Sequence, residues 1–186
     1  ADTEMRRDIN QMLRYPPDSA GSIMTTEYVN LRKDMTVEDA FTHIRRKGTD
    51  KETIYTCYVT DKRKLIGVVD VKDLLTNSDT RTMEEIMDTN VLYAHTLDDQ
   101  EDVAQMINKY GLVAIPIVDR EGYLVGIVTV DDAMEVLQDE TTEDMSMMAG
   151  ISPTEDSYFG TSVFQHAKSR SVWLIFLMLS ATFSGL

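Results

Sequence analysis

The sequence is poor in cysteine, in proline and in positive charge. Its 186 residues include one cysteine, four prolines, and 18 lysine and arginine residues against 32 acidic residues, which gives a formal net charge of −14. A single cysteine cannot form an internal disulfide, and this is typical of a reducing compartment. Phosphate backbones require a basic surface, so nucleic acid is not expected as a partner. The natural partners of so acidic a chain are cations.

Motifs for enzyme chemistry are also missing from the sequence. It contains no glycine-rich phosphate loop, no nucleophile elbow and no Cys-x-x-Cys pair. The three histidines, His43, His95 and His166, share no spacing typical of a metal site or a catalytic site. Cys57 lies in an apolar, strand-like run without an evident acid–base partner, so we interpret it as a buried core thiol. The sequence therefore predicts that the chain is not an enzyme.

Two halves of the chain repeat one unit. Residues 23–26 (Ile-Met-Thr-Thr) match residues 86–89 (Ile-Met-Asp-Thr) at an offset of 63 residues. Farther along, residues 65–73 match residues 124–132 in the pattern Leu-x-Gly-x-Val-x-Val-x-Asp. Such self-similarity indicates a duplicated supersecondary unit. Copies of about 60 residues are only marginally stable as separate domains. We therefore expect the first copy and the second copy to form one pseudo-symmetric body.

Each copy predicts the order strand, helix, strand, strand, helix, so the fold class is α/β (α+β). The patterns of the first copy place a strand at 28–31, a helix at 36–48, strands at 54–60 and 65–70, and a helix from Val71. Those of the second copy place a strand at 91–94, a helix at 99–110, strands at 113–118 and 123–128, and a helix from Val130. Thr36 is expected to cap its helix with Asp39 in the capping-box position.

The two ends of the chain differ from the repeats. Residues 3–14 have one apolar face and stop before a proline pair, so we interpret them as the last helix of an upstream domain. Residues 171–186 are uncharged and would be about 24 Å long as a helix, whereas a membrane span needs roughly 20 residues. We interpret this run as the truncated start of a transmembrane helix, and a buried core helix is the alternative. Lys168 and Arg170 before it predict that the repeats lie on the cytoplasmic side.

Two sets of residues carry a resemblance to known families. The duplicated Gly-h-h-x-x-x-Asp segments, at 67–73 and 126–132, resemble those of a tandem CBS domain pair. The segment Arg-Tyr-Pro-Pro-Asp-Ser-Ala-Gly-Ser-Ile-Met-Thr at 14–25, the Thr-Glu-Asp at 142–144 and the Arg-x-x-Trp-Leu from Arg170 resemble the MgtE family of magnesium channels. The order of the parts, with the apolar run after the pair, supports the second resemblance.

The resemblance implies a division of the chain into five parts. These are the C-terminal helix of an upstream helical domain at 1–20, CBS domains at 21–84 and 85–148, a linker or plug helix at 149–170, and the start of the first transmembrane helix at 171–186. The whole protein would then be a multi-pass protein of the cell membrane. This region would lie on its cytoplasmic side. Related CBS pairs form flat bodies with a two-fold axis, so a homodimer is expected.

An acidic stretch follows the second copy. No lysine or arginine occurs from Glu121 to Ala167, and acidic residues recur at every fourth position, at Asp131, Glu135, Asp139 and Glu143. Like charges at this spacing share one helix face and destabilise the helix by about 0.2–0.5 kcal/mol per pair. Carboxylates with water suit Mg²⁺, although spacing alone leaves a solvated helix face as the alternative. With two carboxylates from the start of the linker helix, the predicted Mg²⁺ ligands are Asp131, Glu135, Asp139, Glu155 and Asp156.

A second class of site follows from the CBS resemblance. Nucleotide-binding CBS domains hold ribose or phosphate with a hydroxyl and an aspartate three residues later, and Thr129 and Asp132 match this pattern. In the first copy Asp73 matches, but Asp70 replaces the hydroxyl and would repel phosphate. Helix capping is the alternative role of these aspartates. The residues predicted to bind a nucleotide are Thr129, Asp132 and Asp73. The ring of its base would stack on Tyr55 and Tyr58.

The resemblance implies a function in which Mg²⁺ has a definite effect on the pore. The chain would be the cytosolic Mg²⁺-sensing gating region of an MgtE-type channel, which closes the pore at high intracellular Mg²⁺ through carboxylates bridged by the ion. The alternative is a module that senses ATP or another adenine nucleotide and regulates another membrane transporter. A dimerisation module without a ligand is a third reading.

Overall fold

The computed structural model describes residues 15–148, apart from the side chains of Asp50 and Ser146. The expected helix at 3–14, the linker helix and the apolar run at 171–186 therefore lie outside the described residues. Within the described part of the chain, no helix combines the length and the hydropathy that a membrane crossing requires.

Both copies have the predicted order of elements. The first copy contains α1 (Ala20–Ile23), β1 (Asn30–Arg32), α2 (Val37–Lys47), a 3-10 turn (Gly48–Asp50), β2 (Thr56–Asp61), β3 (Lys64–Asp70) and α3 (Val71–Thr76). The second copy contains α4 (Met83–Ile86), β4 (Ala94–His95), α5 (Gln100–Tyr110), β5 (Ala114–Val118), β6 (Leu124–Thr129) and α6 (Val130–Met148). The short helices α1 and α4 were not predicted, because one turn is too short to show a helical period.

The two sheets have the same topology and the same irregularity. Strand orders are β1-β2-β3 and β4-β5-β6, and in each sheet the first pair is parallel and the second antiparallel. The register of the antiparallel pair shifts between Val59 and Thr60 in the first sheet and between Ile117 and Val118 in the second. These positions are equivalent in the two copies, so the duplication extends to the details of strand pairing.

Helices α2 and α5 begin with side-chain caps, and the cap of α2 is the one that the sequence predicts. The Asp39 amide donates to Thr36 Oγ1 at 3.2 Å, and the Thr36 amide donates to Asp39 Oδ2 at 3.2 Å, which completes the capping box of α2. At α5 the Glu101 amide donates to Asp99 Oδ1 at 2.8 Å. These bonds satisfy amides that have no partner inside a helix.

The leading segment of each copy packs into the other copy. Ala20 and Met24 are buried in the core of the second copy, and Thr25 exchanges two backbone hydrogen bonds with Ile127, at 2.8 and 2.9 Å. In the same way Asp88 exchanges two bonds of 2.9 Å with Val68 of the first copy. Because each core includes residues from both halves, neither copy can form its core alone. The described residues up to Leu137 accordingly form one compact unit.

The copies also meet through their hairpins. The Leu65 amide donates to the Gly122 carbonyl at 3.2 Å, and the Leu124 amide donates to the Arg63 carbonyl at 3.0 Å. This antiparallel contact joins the first residues of β3 and β6, so the two strands leave it in opposite directions. The ends of β3 and β6 therefore lie on opposite sides of the contact.

Candidate nucleotide and cation sites

At the end of β3, an exposed ring and a carboxylate lie beside the start of α3. The Val71 amide donates to the Tyr55 carbonyl at 2.9 Å, and the Tyr55 side chain is 70% exposed. Asp73 is half-buried in the first turn of α3. Its carboxylate makes no hydrogen bond or ion pair with another residue of the described range. The ring could stack on a base, and the carboxylate is available to accept bonds from ribose hydroxyls.

Sequence reasoning missed Thr56, which supplies the hydroxyl that Asp70 lacks. Thr56 faces Asp70 across the β2–β3 ladder, and its Oγ1 donates to Asp70 Oδ1 at 2.8 Å. The hydroxyl thus comes from the neighbouring strand instead of from the motif itself. A prediction of the β2–β3 register could have found it, because that register places residue 56 opposite residue 70.

At the end of β6, the predicted hydroxyl and carboxylate are bonded to each other. The Val130 amide donates to the Val113 carbonyl at 2.9 Å, which reproduces the backbone contact at the end of β3. Thr129 is buried, and its Oγ1 donates to Asp132 Oδ2 at 2.6 Å. Valine at 113 takes the place that Tyr55 has in the first copy, so this end has no aromatic ring at that position.

The four predicted nucleotide ligands therefore divide into two pairs. Tyr55 and Asp73 lie at the end of β3, whereas Thr129 and Asp132 lie at the end of β6, on the opposite side of the hairpin contact. The expectation that Tyr58 stacks on a ligand is wrong. Its side chain is fully buried between the copies, where its ring meets Tyr28 edge to face at a centroid distance of 6.0 Å.

The interpretation of Cys57 as a core thiol is confirmed. Its side chain is fully buried in the core of the first copy. Burial, together with the nearby Asp70 carboxylate, raises the pKa of Cys57 to about 12. A thiol that stays protonated at neutral pH is a poor nucleophile.

Three of the predicted Mg²⁺ ligands, Asp131, Glu135 and Asp139, are exposed on α6. Glu155 and Asp156 lie outside the described residues. Within residues 15–148, no three histidine, cysteine or acidic side chains are placed to hold a metal ion together. Because Mg²⁺ keeps several water molecules and needs only one or two carboxylates, the ligand set stays a prediction.

The charge of α6 is unfavourable for an isolated helix. The helix has no basic residue in its last turn, and its second half carries Asp139, Glu140, Glu143 and Asp144. Carboxylates at this end face the negative pole of the helix dipole. A bound divalent cation would offset both the repulsion between the side chains and their repulsion by the dipole.

Comparison with known proteins gives the family. Residues 20–79 and 83–139 match the CBS domain. The chain is 39% identical over 180 residues to the magnesium transporter MgtE of Thermus thermophilus, and this match includes 96% of the chain. It is 38% identical over 177 residues to MgtE of Enterococcus faecalis, with 95% of the chain included. The chain spans 40% of the length of the first relative and 38% of the second.

A solved structure gives the same result. The crystal structure of the cytosolic domain of the Mg²⁺ channel MgtE in complex with ATP has a TM-score of 0.70 to this chain at 44% sequence identity. The match includes 72% of this chain and 54% of that one. The chain therefore belongs to the CBS domain family, as a tandem pair of the kind found in the cytosolic part of the MgtE magnesium transporters.

Proposed function

We propose that this chain is the cytosolic Mg²⁺-sensing region of an MgtE-type magnesium channel in the cell membrane. The observation that carries the proposal is the composition of α6, which has seven acidic residues and no lysine or arginine and lies within the sequence similarity to MgtE. The proposed ligands are Asp131, Glu135 and Asp139 of α6, with Glu155 and Asp156 of the following segment.

The proposed mechanism rests on state-dependent affinity. At low Mg²⁺ the carboxylates repel one another and favour an arrangement in which they are far apart, with the pore open. At high Mg²⁺ carboxylates that share bound ions favour the compact arrangement, with the pore closed. An ion that bound both arrangements equally would not change their populations.

A homodimer is part of the same proposal. Leu75 of α3 and Met134 of α6 occupy equivalent positions in the two copies, and they are 69% and 45% exposed. Large apolar side chains exposed at equivalent places of a pseudo-symmetric pair favour a symmetric interface. Light scattering at high protein concentration tests this, and a monomer both with and without Mg²⁺ would contradict it.

Thermal unfolding tests the Mg²⁺ site. MgCl₂ should raise the melting temperature more than KCl of equal ionic strength, because site binding stabilises by mass action whereas screening depends on ionic strength alone. Neutralising Asp131, Glu135 and Asp139 together, to Asn, Gln and Asn, should reduce this difference. The matched control neutralises three exposed acids of the first copy, Glu38, Glu52 and Asp79. Equal stabilisation by KCl and MgCl₂ would contradict the proposal.

A second proposed function is the binding of ATP or another adenine nucleotide. The end of β3 supports it, because this end combines the exposed Tyr55 ring with the available Asp73 carboxylate, and a similar solved structure is a complex with ATP. By calorimetry, Asp73→Ala should weaken ATP binding at least tenfold, and Asp132→Ala should change it little. The opposite result would place the nucleotide at the end of β6.

Calorimetry with ATP and thermal unfolding with MgCl₂ together separate the two proposed functions. Binding of ATP without specific stabilisation by Mg²⁺ would favour the alternative, a nucleotide-sensing module that regulates another membrane transporter. Specific stabilisation by Mg²⁺ without ATP binding would favour the magnesium sensor and remove the nucleotide from the mechanism.

A further inference from the structure

A cavity of about 370 Å³ lies beside the contact between the two hairpins. Leu65 of β3 lies on one side. Alternate residues of the segment that leads into β4 form a second side, and the turn between β5 and β6 forms the third. Val91, Tyr93, His95, Arg120 and Glu121 are among the residues that line it. A volume in this range is at the lower end for small-molecule pockets.

The equivalent place on the other side of the pair is filled by a tyrosine. Tyr28 corresponds to Val91 at the repeat offset, and Leu124 corresponds to Leu65. The Tyr28 hydroxyl donates to the Leu124 carbonyl at 3.3 Å, and its ring packs against Tyr58. Tyr28 is half-buried there. The cavity therefore marks the place where the second copy has the backbone of the first but lacks its phenol ring.

The remaining walls of the cavity suit an aromatic ring. Tyr93 and His95 line one side, with their rings edge to face at 87° and a centroid distance of 5.6 Å. Leu65 and Val91 add apolar surface. Aromatic groups favour edge-to-face and offset arrangements of this kind. A flat ring in the cavity would occupy the place that the Tyr28 ring has in the other half of the pair.

The mouth of the cavity carries one arginine. Arg120 belongs to the lining, is exposed and makes no ion pair with another residue of the described range. Glu121 is the acidic residue of the lining. The turn with Lys62, Arg63 and Lys64 does not line the cavity: Arg63 is close enough to act on Tyr28, and Lys64 Nζ lies 5.5 Å from the centre of the Tyr123 ring. The Arg120 guanidinium is therefore the group that can bind an anionic group of a ligand.

We propose that this cavity binds a small ligand with one planar aromatic ring and one anionic group. The ring lies against Val91 and Tyr93, and the anionic group faces Arg120. The site is separate from the one that carries Tyr55 and Asp73. Leu65 lies near the beginning of β3 and Asp70 at its end, and the five steps of strand from one to the other span roughly 17 Å.

Calorimetry on the full chain tests the proposal, with 4-hydroxybenzoate as the probe. It should bind saturably, and at least fivefold more tightly than phenol, which lacks the anionic group, or cyclohexanecarboxylate, which lacks the aromatic ring. Val91→Tyr would fill the cavity with a phenol ring, as Tyr28 fills the equivalent place on the other side of the pair. This variant should weaken probe binding at least tenfold. Arg120→Gln should weaken binding of 4-hydroxybenzoate at least threefold and leave binding of phenol unchanged.

Four results would overturn the proposal. The first is no saturable binding of the probe, and the second is unchanged binding to Val91→Tyr. The third is equal binding of cyclohexanecarboxylate, since the ring would then not be recognised as aromatic. The fourth is loss of ATP binding in Val91→Tyr, because the cavity would then belong to the nucleotide site. Circular dichroism checks that each variant is folded. If Val91→Tyr does not fold, Val91→Leu fills part of the same space and is compared in the same way.

Discussion

At the end of β3 the chain carries Tyr55, Thr56 and Asp70, whereas at the end of β6 the equivalent places are held by Val113, Ala114 and Thr129. The backbone contact is nevertheless the same, since an amide at the start of the following helix donates to residue 55 or 113 at 2.9 Å. The side chains differ more than the backbone does. One end exposes an aromatic ring beside an available carboxylate, and the other has a closed hydroxyl–carboxylate pair.

The same contrast occurs at the opposite end of the strands. Tyr28 closes the first of two equivalent places, and Val91 leaves the second open. The exchange of leading segments and the register shifts are present in both copies. Duplication thus keeps the contacts that hold the pair together and leaves the side chains around each cleft free to diverge. A pseudo-symmetric body acquires asymmetric sites in this way.

Gly67 and Gly126 lie against the leading segments that the two copies exchange. Replacing them tests whether the two copies hold these segments equally closely, and it should give the largest change in the free energy of unfolding. A Cβ at Gly126 would lie 2.7 Å from Met24 Sδ and 2.9 Å from the Thr25 carbonyl, and a Cβ at Gly67 would lie 2.6 Å from Met87 Sδ and 3.0 Å from the Asp88 carbonyl. Methionine side chains can move, but backbone carbonyls cannot move easily. Because the two sets of contacts are nearly equal, Gly126→Ala and Gly67→Ala should each lower the free energy of unfolding by about 2–3 kcal/mol.

Urea unfolding of both variants gives the comparison. A loss below about 0.5 kcal/mol in either variant would show that the exchanged segment on that side is not held as closely as the structure indicates.

The two hydroxyl–carboxylate bonds should differ in energy because they differ in burial. Thr129 is buried and Asp132 is half-buried, whereas the bond between Thr56 and Asp70 is exposed. Thr129→Val should lower the free energy of unfolding by about 2 kcal/mol, because a half-buried carboxylate loses its donor. Thr56→Val should lower it by less than about 1 kcal/mol, because water can replace the hydroxyl of an exposed pair. Chemical unfolding at pH 7 measures both, and equal losses would contradict the difference.

The sequence was sufficient for the order of the main helices and strands, because the signals for these elements are local. The repeat offset, the capping box at Thr36 and the glycines that follow the helical patterns predict the elements within a few residues. The exchange of leading segments could not be predicted, because it depends on contacts such as Thr25 with Ile127, about 100 residues apart. For the same reason the motif placed Asp73 and Asp132 at helix starts but could not divide the predicted nucleotide ligands between two ends. That division depends on how β3 and β6 pair.

Cys57 and Ile115 occupy equivalent positions in the middle strands β2 and β5, but only Cys57 can titrate. The stability of the protein should therefore depend on pH through Cys57. The unfolded thiol titrates near its ordinary pKa of 9.0, and burial followed by the Asp70 carboxylate raises the folded pKa to about 12. Between these values the unfolded state binds fewer protons than the folded state. The free energy of unfolding should therefore be unaffected below pH 9 and fall by about 1.4 kcal/mol per pH unit as the pH rises towards 12.

Cys57→Ala should remove this slope, and Ile115→Ala provides the matched control. Both variants lose buried volume and should be less stable at every pH, but the control keeps the thiol and should keep the slope. Burial also raises the pKa of Tyr58, which adds a similar dependence above pH 10 to both variants. Urea unfolding from pH 8 to 10.5 measures the difference, and parallel curves for the two variants would contradict it.

The hairpin turns should give the smallest effect. Lys62 and Arg63 have φ angles of 49° and 72°, which lie in the left-handed region. In the other hairpin turn the residue in this region is a glycine, Gly122, with a φ angle of 83°. A side chain in this region costs about 1 kcal/mol, and glycine loses more entropy on folding, so Arg63→Gly should raise the free energy of unfolding by about 0.5 kcal/mol. The reciprocal change, Gly122→Ala, should lower it by about 1 kcal/mol. Because a Cβ there would meet no atom within 4 Å, this loss reports the backbone alone. Thermal unfolding of both variants checks the two signs. Burial raises the pKa of Tyr28, and the nearby Arg63 guanidinium offsets part of that rise. A loss of stability in Arg63→Gly would mean that this guanidinium contributes more to stability than the backbone strain costs.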